Sequence, residues 1–244
     1  MTDLRGSVRL PRLIENLYLK SPRPVNKKTE TTKMERIGID ESGKGDYFGP
    51  LVIAAVFVDA TTQGELTLMQ VRDSKKISDS RILQMAPDIR MICPHSIVAI
   101  GPARYNELYT KIRNLNRLLA WGHAKALETL LEKVSCGRAI ADQFGDERLI
   151  LNALQEKGRT IVLEQRHKAE SDLAVAAASI LARAEFLLRL KRLSDEIGAT
   201  LPKGASPAVE LAGRMIVKKH GEERLGSVAK LHFKTTQAVL GKTD

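Results

Sequence analysis

The sequence predicts an α/β protein with a mixed central sheet and helices on both faces. From residue 36 of the 244-residue chain, where regular hydrophobic patterns begin, strand-like segments come first, and helical and strand-like segments alternate after them. This order is typical of a mixed sheet whose helices pack on both faces. Hydrophobic residues make up 43% of the chain, which is an ordinary value for a globular protein and is sufficient for one core.

Two kinds of pattern predict the strands. Residues 36–40 alternate between apolar and polar side chains, as in a half-buried strand, whereas Leu51–Val58 is an apolar run rich in Val and Ile. Residues 59–64 predict a turn, and residues 65–71 fit a strand or a short helix equally well. Three later segments are also strand-like: 96–100, 137–142 and 160–164.

Two segments have the pattern of long helices. Residues 116–133 place most of their apolar side chains along one stripe. Residues 171–193 form the strongest helical pattern, with Ser171 or Asp172 as the cap and Gly198 beyond the end. Small residues at 174–178 allow a neighbouring element to approach this helix closely.

The N-terminal residues differ in charge from the rest of the chain. Residues 1–36 contain nine lysines or arginines and four acidic residues, and 21–24 read Ser-Pro-Arg-Pro, which ends any helix before it. We interpret residues 1–33 as a basic N-terminal arm and residues 34–244 as one folded domain. A solvated tail without a role is the alternative.

The overall charge favours a polyanionic partner. The formal net charge is +10 and the pI is about 9.7, and neutralising phosphates releases counterions. Aromatic residues make up 4%, which argues against stacking of single-stranded bases as the main means of recognition. Composition alone is also compatible with a basic protein that binds no nucleic acid.

The cysteines and the apolar runs indicate a cytoplasmic protein that does not associate with a membrane. Cys93 and Cys136 have neither CxxC spacing nor a cluster of histidines nearby, so a zinc site or a disulfide framework is not expected. The first ten residues lack the apolar core of a signal peptide. The longest apolar run, Leu51–Val58, is too short to cross a bilayer.

The most informative stretch is residues 38–50, where two carboxylates end a strand and enter a glycine-rich turn. Asp40 and Glu41 need compensation at the end of a core strand, and Mg²⁺ is the usual partner of oxygen ligands. The alternative is a P-loop. Gly45 stands where a P-loop needs Ser or Thr, and the two acids would repel a phosphate, so we reject that interpretation.

Two further acids stand at the ends of predicted elements. Asp142 ends the strand at 137–142, and Glu170 precedes the long helix. Taken singly, Asp142 fits a turn or a helix cap, and Glu170 fits an acid that interacts with a helix dipole. Together with Asp40 and Glu41 they describe a phosphodiesterase site in which two metal ions activate water and stabilise the leaving oxygen.

Several ordered motifs in residues 36–236 resemble the type 2 ribonucleases H, and the HIII branch of that family more than HII. Glycine, lysine and glycine after the acidic pair, and glutamate at the last acidic position, are HIII features. The motifs are DESGKG at 40–45, FGP at 48–50, DSKK at 73–76, 114–123, ADQF at 141–144, KAE at 168–170, 176–180, LPKGAS at 201–206 and AKLHFK at 229–234.

The resemblance implies a ribonuclease H-like catalytic domain that cuts the RNA strand of RNA–DNA hybrids and leaves 3′-hydroxyl and 5′-phosphate ends. It implies two divalent ions, Mg²⁺ or Mn²⁺, on four catalytic carboxylates. It also implies that the 43–45 backbone contacts the RNA 2′-hydroxyl and that residues of two later motifs contact phosphate or sugar. The acids are Asp40, Glu41, Asp142 and Glu170; the nucleic-acid contacts are Gly43, Lys44, Gly45, Ser74, Lys75 and Asn116. A monomer is the default expectation.

Two departures from the family pattern bear on substrate choice. HIII enzymes usually begin with a separate hybrid-binding domain, and residues 1–33 are too short for one. HII enzymes have a tyrosine after a Lys-Gly pair, whereas here Ala205 follows Lys203 and Gly204, so efficient removal of single ribonucleotides is not expected.

Three other functions fit parts of the pattern. They are a non-catalytic hybrid-binding protein, an HII-like repair enzyme, and a Mg²⁺-dependent phosphatase for small molecules. The first would lack the acids, the second would differ at the HIII features, and the third would not need the basic excess. Loss of activity with rising salt would favour a nucleic acid substrate over the third.

Overall fold

A computed structural model of the chain describes residues 34–142, 148–154 and 158–242. The proposed basic arm, residues 1–33, and positions 143 and 144 of one family motif lie outside the described residues. No helix within the described ranges is both long enough and apolar enough to cross a membrane.

The described residues contain a mixed five-stranded sheet in the order β3-β2-β1-β4-β5. β1 pairs antiparallel with β2, and β2 pairs antiparallel with β3, whereas β4 lies parallel to both β1 and β5. The predicted α/β fold class is therefore confirmed. The strands are β1 (Arg36–Ser42), β2 (Leu51–Val58), β3 (His95–Ile100), β4 (Arg138–Asp142) and β5 (Val162–Arg166).

Helices cover both faces of this sheet. The long helix that the sequence predicts lies on one face with its predicted caps, since Asp172 accepts a hydrogen bond from the Ala174 N–H at 2.8 Å and Gly198 ends it in the left-handed conformation. The helices are α1 (Ala60–Leu68), α2 (Asp79–Ile92), α3 (Pro102–Ile112), α4 (Leu115–Leu131), α5 (Arg148–Ala153), α6 (Leu173–Ile197), α7 (Pro207–His220), α8 (Glu222–Leu225) and α9 (Thr235–Leu240).

The prediction of a turn at residues 59–64 is wrong, because helix α1 begins there. A capping box starts the helix: Asp59 accepts from the Thr62 N–H at 2.8 Å, and Thr62 Oγ1 accepts from the Asp59 N–H at 2.9 Å. This reciprocal pair satisfies two backbone N–H groups that the first turn of a helix leaves without a partner. The ambiguous segment 65–71 contains the end of the same helix. The strand predicted at 160–164 forms two residues later, as β5.

Each face of the sheet has its own hydrophobic core. On one face Val52, Ala54 and Val56 of β2 pack with α2 and α6. On the other face Ile37 and Ile39 of β1 pack with α4, together with β2 residues of the opposite parity. This alternation is the period-two pattern of a strand buried on both sides.

Helix α6 approaches β1 closely at Gly38. A methyl group on Gly38 would lie 2.1 Å from the carbonyl carbon of Ala174 and 2.2 Å from the nitrogen of Val175. The backbones can therefore pack this closely only because Gly38 has no side chain. The small-residue segment at 174–178 does allow close approach, as the sequence predicts, and its neighbour is β1.

Candidate active site

Three of the predicted acids lie around one cavity. β1 and β4 are parallel neighbours, so Asp40 and Glu41 near the end of β1 meet Asp142 at the end of β4. The cavity has a volume of about 440 Å³. A larger cavity of about 830 Å³ beside α6 contains none of the four predicted acids. The lining residues of the acidic cavity are Asp40, Glu41, Ser42, Gly43, Lys44, Gly45, Asp46, Ser74, Lys75, Asp142, Ser179, Arg183, Phe186 and Lys203.

The structure places most of the other predicted residues in the same cavity. The glycine-rich loop, defined as residues 43–45, forms one side of it, and Ser74 and Lys75 form another. Glu170 instead lines a neighbouring cavity of about 270 Å³. Asn116 is exposed in the first turn of α4 and is not among the described residues that line the acidic cavity.

Asp40 is held on the α6 side of the site. Its Oδ1 accepts the Glu41 N–H at 2.8 Å, and its carboxyl group is also hydrogen-bonded by the Ser179 hydroxyl. Burial raises the pKa of Asp40 to about 7, and the adjacent charge of Glu41 adds to this effect. The Ser179 hydroxyl, the Glu41 N–H and Lys75 oppose the rise.

Glu41 is held on the α4 side of the site. The buried His123 places its Nε2 3.1 Å from Glu41 Oε2, and Lys44 Nζ lies 3.6 Å from Glu41 Oε1. An ionised carboxylate only accepts, so His123 Nε2 carries the proton of this bond. Burial raises the pKa of Glu41, but the hydrogen bond and charge of His123, together with Lys44, outweigh it and hold that pKa below its ordinary value.

The turn that carries Glu170 contacts Asp142 through its backbone. The Ala169 N–H lies 3.4 Å from Asp142 Oδ1, and Ala169–Ser171 is a single 3-10 turn. Glu170 Oε2 is buried without a hydrogen-bond partner among the described residues. A buried carboxylate oxygen without a donor is energetically unfavourable, and a cation would compensate it.

Ser74 is buried in the wall of the cavity. Its Oγ lies 2.6 Å from Ser179 Oγ. A hydroxyl has one proton, so Ser179 can donate to Asp40 only if Ser74 donates to Ser179. Ser74 thus supports Asp40 through Ser179 in this structure, and its contact with phosphate stays a prediction. Lys75, in contrast, is exposed.

Arg183 and Lys203 line the cavity although neither is predicted from the sequence as a site residue, and Lys203 is noted there only as part of the LPKGAS motif. Both form ion pairs with Asp79, and Arg183 Nη1 also donates to the Ser74 carbonyl at 2.7 Å. Arg183 and Ser179 are four residues apart on α6, so they lie on the same face of the helix. For Arg183, the available signal in the sequence was its four-residue spacing from Ser179, which directly follows the small-residue segment 174–178.

His123 had no comparable signal. It is 82 positions from Glu41 in the chain, and only the packing of α4 on the sheet brings the two together. A packed or surface histidine is the interpretation that its sequence context favours, and the structure shows that it is packed and also supports Glu41.

The donors at this site suit a divalent cation. In the described ranges, no three histidine, cysteine, aspartate or glutamate side chains are gathered closely enough to hold an ion by themselves. The carboxylates nevertheless provide oxygen ligands, which Mg²⁺ and Mn²⁺ prefer. The raised pKa of Asp40 reflects its burial first and then repulsion by Glu41, and the charge of a cation would offset both.

Comparisons with known proteins agree with this geometry. The family model described as Ribonuclease HII matches residues 37–236. The chain is 49% identical over 235 residues to a ribonuclease HIII of Protochlamydia amoebophila, covering 95% of this chain and 75% of that protein. It is 45% identical over 213 residues to a ribonuclease HIII of Chlamydia abortus, covering 86% of this chain and 71% of that protein.

A solved structure has the same fold. The crystal structure of Bst-RNase HIII in complex with Mn²⁺ superposes with a TM-score of 0.81 at 34% identity, covering 87% of this chain and 71% of that chain. The family match over residues 37–236 includes every residue that lines the acidic cavity. The chain therefore belongs to the ribonuclease HII family of nucleases, in its ribonuclease HIII branch.

Proposed function

We propose that this protein cuts the RNA strand of RNA–DNA hybrids with two divalent ions, Mg²⁺ or Mn²⁺, held by Asp40, Glu41, Asp142 and Glu170. The observation that carries the proposal is the single cavity that Asp40, Glu41 and Asp142 share with the glycine-rich loop and Lys75. The ribonuclease HIII names of its relatives and the Mn²⁺ in the related structure support it.

The carboxylates have different tasks in this proposal. Bound ions would activate a water molecule and stabilise the leaving 3′-oxygen, which yields 3′-hydroxyl and 5′-phosphate ends. Glu41 stays ionised because His123 and Lys44 stabilise its charge, whereas Asp40 gives up its proton when a cation offsets its burial. Asp142 faces them from β4, and Glu170 completes the ligand set from the turn whose backbone contacts Asp142.

The walls of the cavity would select and hold the substrate. Backbone groups of Gly43–Gly45, which line the cavity, would contact the ribose 2′-hydroxyl, which distinguishes RNA from DNA. Lys75 would contact phosphate beside the scissile bond, and Ser74 would do so by turning its hydroxyl away from Ser179. The exposed Asn116 would reach the sugar or the backbone farther along.

The lining of the cavity supports a preference for continuous RNA strands. Ala205 is exposed and carries no group that can read a junction between RNA and DNA. Among the described residues that line the cavity there is no tyrosine, and Tyr47 and Tyr105 are buried.

We assign residues 1–33 as a basic arm and 34–244 as the catalytic domain of a cytoplasmic, monomeric enzyme.

Gel-resolved cleavage with Mg²⁺ tests the proposal on two duplexes, one with a continuous RNA strand and one with a single embedded ribonucleotide. We expect the wild type to cut the continuous strand and Asp142→Asn to be inactive, with hybrid binding preserved because no phosphate contact is lost. Asp195→Asn is the matched control, since Asp195 is exposed and pairs with Lys191 on α6.

The two duplexes separate the remaining alternatives. Equal cutting of both by the wild type would identify an HII-like repair enzyme instead. Binding without cutting of either would indicate a hybrid-binding protein. Substantial activity in Asp142→Asn would mean that the assigned carboxylates are wrong.

A further inference from the structure

Lys230 is a fully buried lysine in the segment between α8 and α9. Its ammonium group donates to the Gly49 carbonyl at 2.7 Å, and the carbonyls of Phe48 and Pro50 each lie 3.5 Å away. Within the described part of the chain it forms no ion pair. A buried lysine usually has a carboxylate partner, so an ammonium that is held by successive carbonyls is unusual.

These carbonyls belong to the connection between the glycine-rich loop and β2. Gly43 and Gly49 both have positive φ angles, of +87° and +83°. A methyl group on Gly43 would lie 2.1 Å from the Pro50 oxygen, so the Gly43 backbone packs directly against that carbonyl. The position of the Pro50 carbonyl therefore limits where Gly43 can lie.

The backbone around Lys230 holds the same connection. The Lys230 N–H donates to the Tyr47 carbonyl at 2.8 Å, and the Gly49 N–H donates to the Val228 carbonyl at 2.9 Å. Residues 47–50 are thus held by the 228–230 backbone and, in addition, by the Lys230 side chain, which lies outside the acidic cavity.

The burial of Lys230 is energetically costly. Desolvation lowers the pKa of Lys230 to about 7, although Asp46 acts in the opposite direction, and burial together with Lys230 lowers the pKa of the neighbouring His232. The Tyr105 ring lies 5.8 Å from the ammonium nitrogen. Such a group fixes its carbonyl partners in one arrangement, because moving any of them would leave a buried charge without compensation.

We propose that Lys230 is a positioning residue for recognition of the ribose 2′-hydroxyl. Its ammonium group fixes the carbonyls of residues 48–50, and these in turn fix the backbone of the glycine-rich loop. The assignment rests on the proposed function, in which that loop contacts the 2′-hydroxyl. It adds a residue that contacts neither the substrate nor the metal ligands.

Lys230→Met tests this proposal, because it keeps the length of the side chain and removes the donors. We expect KM for a continuous RNA–DNA hybrid to rise about tenfold or more, with a smaller change in kcat. In an Asp142→Asn background, the ratio of affinities for the hybrid and for the same sequence as DNA duplex should fall by a similar factor. A general loss of folded protein would not change that ratio.

Asn106→Ala is the matched control. Asn106 anchors the same segment from α3 through the Gly226 and Ala229 carbonyls, at 3.1 and 2.9 Å, and through the Leu231 N–H. We expect it to lower the melting temperature while leaving KM and the affinity ratio near the wild-type values. If Lys230→Met does not fold, Lys230→Gln decides by the same two measurements, because its amide carries no charge and ends one bond short of the ammonium that holds the three carbonyls.

Each outcome bears on one proposal or the other. An unchanged KM and affinity ratio in a folded Lys230 variant, with a wild type that cleaves the hybrid, would overturn the role of Lys230 alone. Equal effects of Asn106→Ala would show that any loosening of the segment suffices, which also overturns it. A wild type that cleaves no hybrid would instead remove the proposed function on which this assignment rests.

Discussion

On one face of the sheet α6 packs against β1 through small residues, whereas on the other face α4 packs through leucines. The first contact brings two backbones together at Gly38. The second leaves side-chain layers between helix and strand, so that Gly122 of α4 faces the Ile53 side chain. One face is therefore set by backbone positions and the other by side chains that can adjust.

The same two faces support the acidic pair separately. Successive strand residues point to opposite faces, and Asp40 is supported by Ser179 of α6 while Glu41 is supported by His123 of α4. Both supports lower the pKa of the acid that they contact. His123 and Lys44 outweigh burial at Glu41, whereas Ser179 does not outweigh burial and the charge of Glu41 at Asp40, so the two pKa values move in opposite directions. Two adjacent carboxylates can therefore differ in pKa because the side chains that support them come from different helices.

Replacing Gly38 on the α6 face and Gly122 on the α4 face with alanine should show the largest difference in stability between the two faces. Gly38→Ala places a methyl group against the α6 backbone, so we expect a loss of about 3 kcal/mol or more in the free energy of unfolding. Gly122→Ala meets only Ile53 side-chain atoms, at 2.6 Å, and should cost about 1 kcal/mol. Denaturant unfolding measures both, and equal losses would contradict the distinction between the faces.

Neutralising the two acids should change the stability of the metal-free protein in opposite directions. The pKa of Asp40 is raised from 3.8 to about 7, so its favourable contribution is complete below about pH 4 and is lost as the pH rises through 7. The pKa of Glu41 is lowered from 4.5, so its contribution is present above that value and is lost as the pH falls.

At about pH 8, Asp40→Asn should therefore stabilise the metal-free protein by on the order of 2 kcal/mol, and Glu41→Gln should destabilise it. Thermal unfolding in a chelator at about pH 8 and again at about pH 5 measures both effects, and the gain from Asp40→Asn should shrink at the lower pH. Two shifts of the same sign at the higher pH would rule out separate control of the pair.

Removing the two supporting side chains should have smaller effects on metal affinity. His123→Leu removes a hydrogen bond to the ionised Glu41 and should weaken Mn²⁺ binding about tenfold. Ser179→Ala should weaken it about threefold, because Asp40 keeps the Glu41 N–H. His123→Gln, which retains a donor, should recover part of the loss. Calorimetric titration gives these values, and a larger effect at Ser179 would reverse the assignment.

The elements that local sequence determines were predicted well. β2 is Leu51–Val58 in both prediction and structure, because an apolar run rich in Val and Ile directly after Gly49-Pro50 favours a buried strand. Asp172 and Gly198 cap α6 as predicted. The positions of Asp40, Glu41 and Asp142 at or near strand ends were also local signals, whereas the pairing of β1 with β4 that brings them together is seen only in the structure.

What the sequence did not predict depends on long-range packing or on small local energies. Helix α1 depends on a single capping box, and the contact of His123 with Glu41 depends on how α4 lies on the sheet. Lys230 belongs to the AKLHFK motif, but nothing in that motif indicates that its side chain is buried, which only the structure shows. Glu170 lines the neighbouring cavity, so its role as a ligand stays a prediction.

In the proposed function, the carboxylates of the acidic cavity bind the divalent ion. A Mn²⁺ titration of wild type, Asp142→Asn and Asp195→Asn measures this binding directly. We expect the wild type and Asp195→Asn to bind alike, and Asp142→Asn to bind at least about tenfold more weakly, because it loses a ligand of the site. Binding by Asp142→Asn with wild-type affinity would contradict the account.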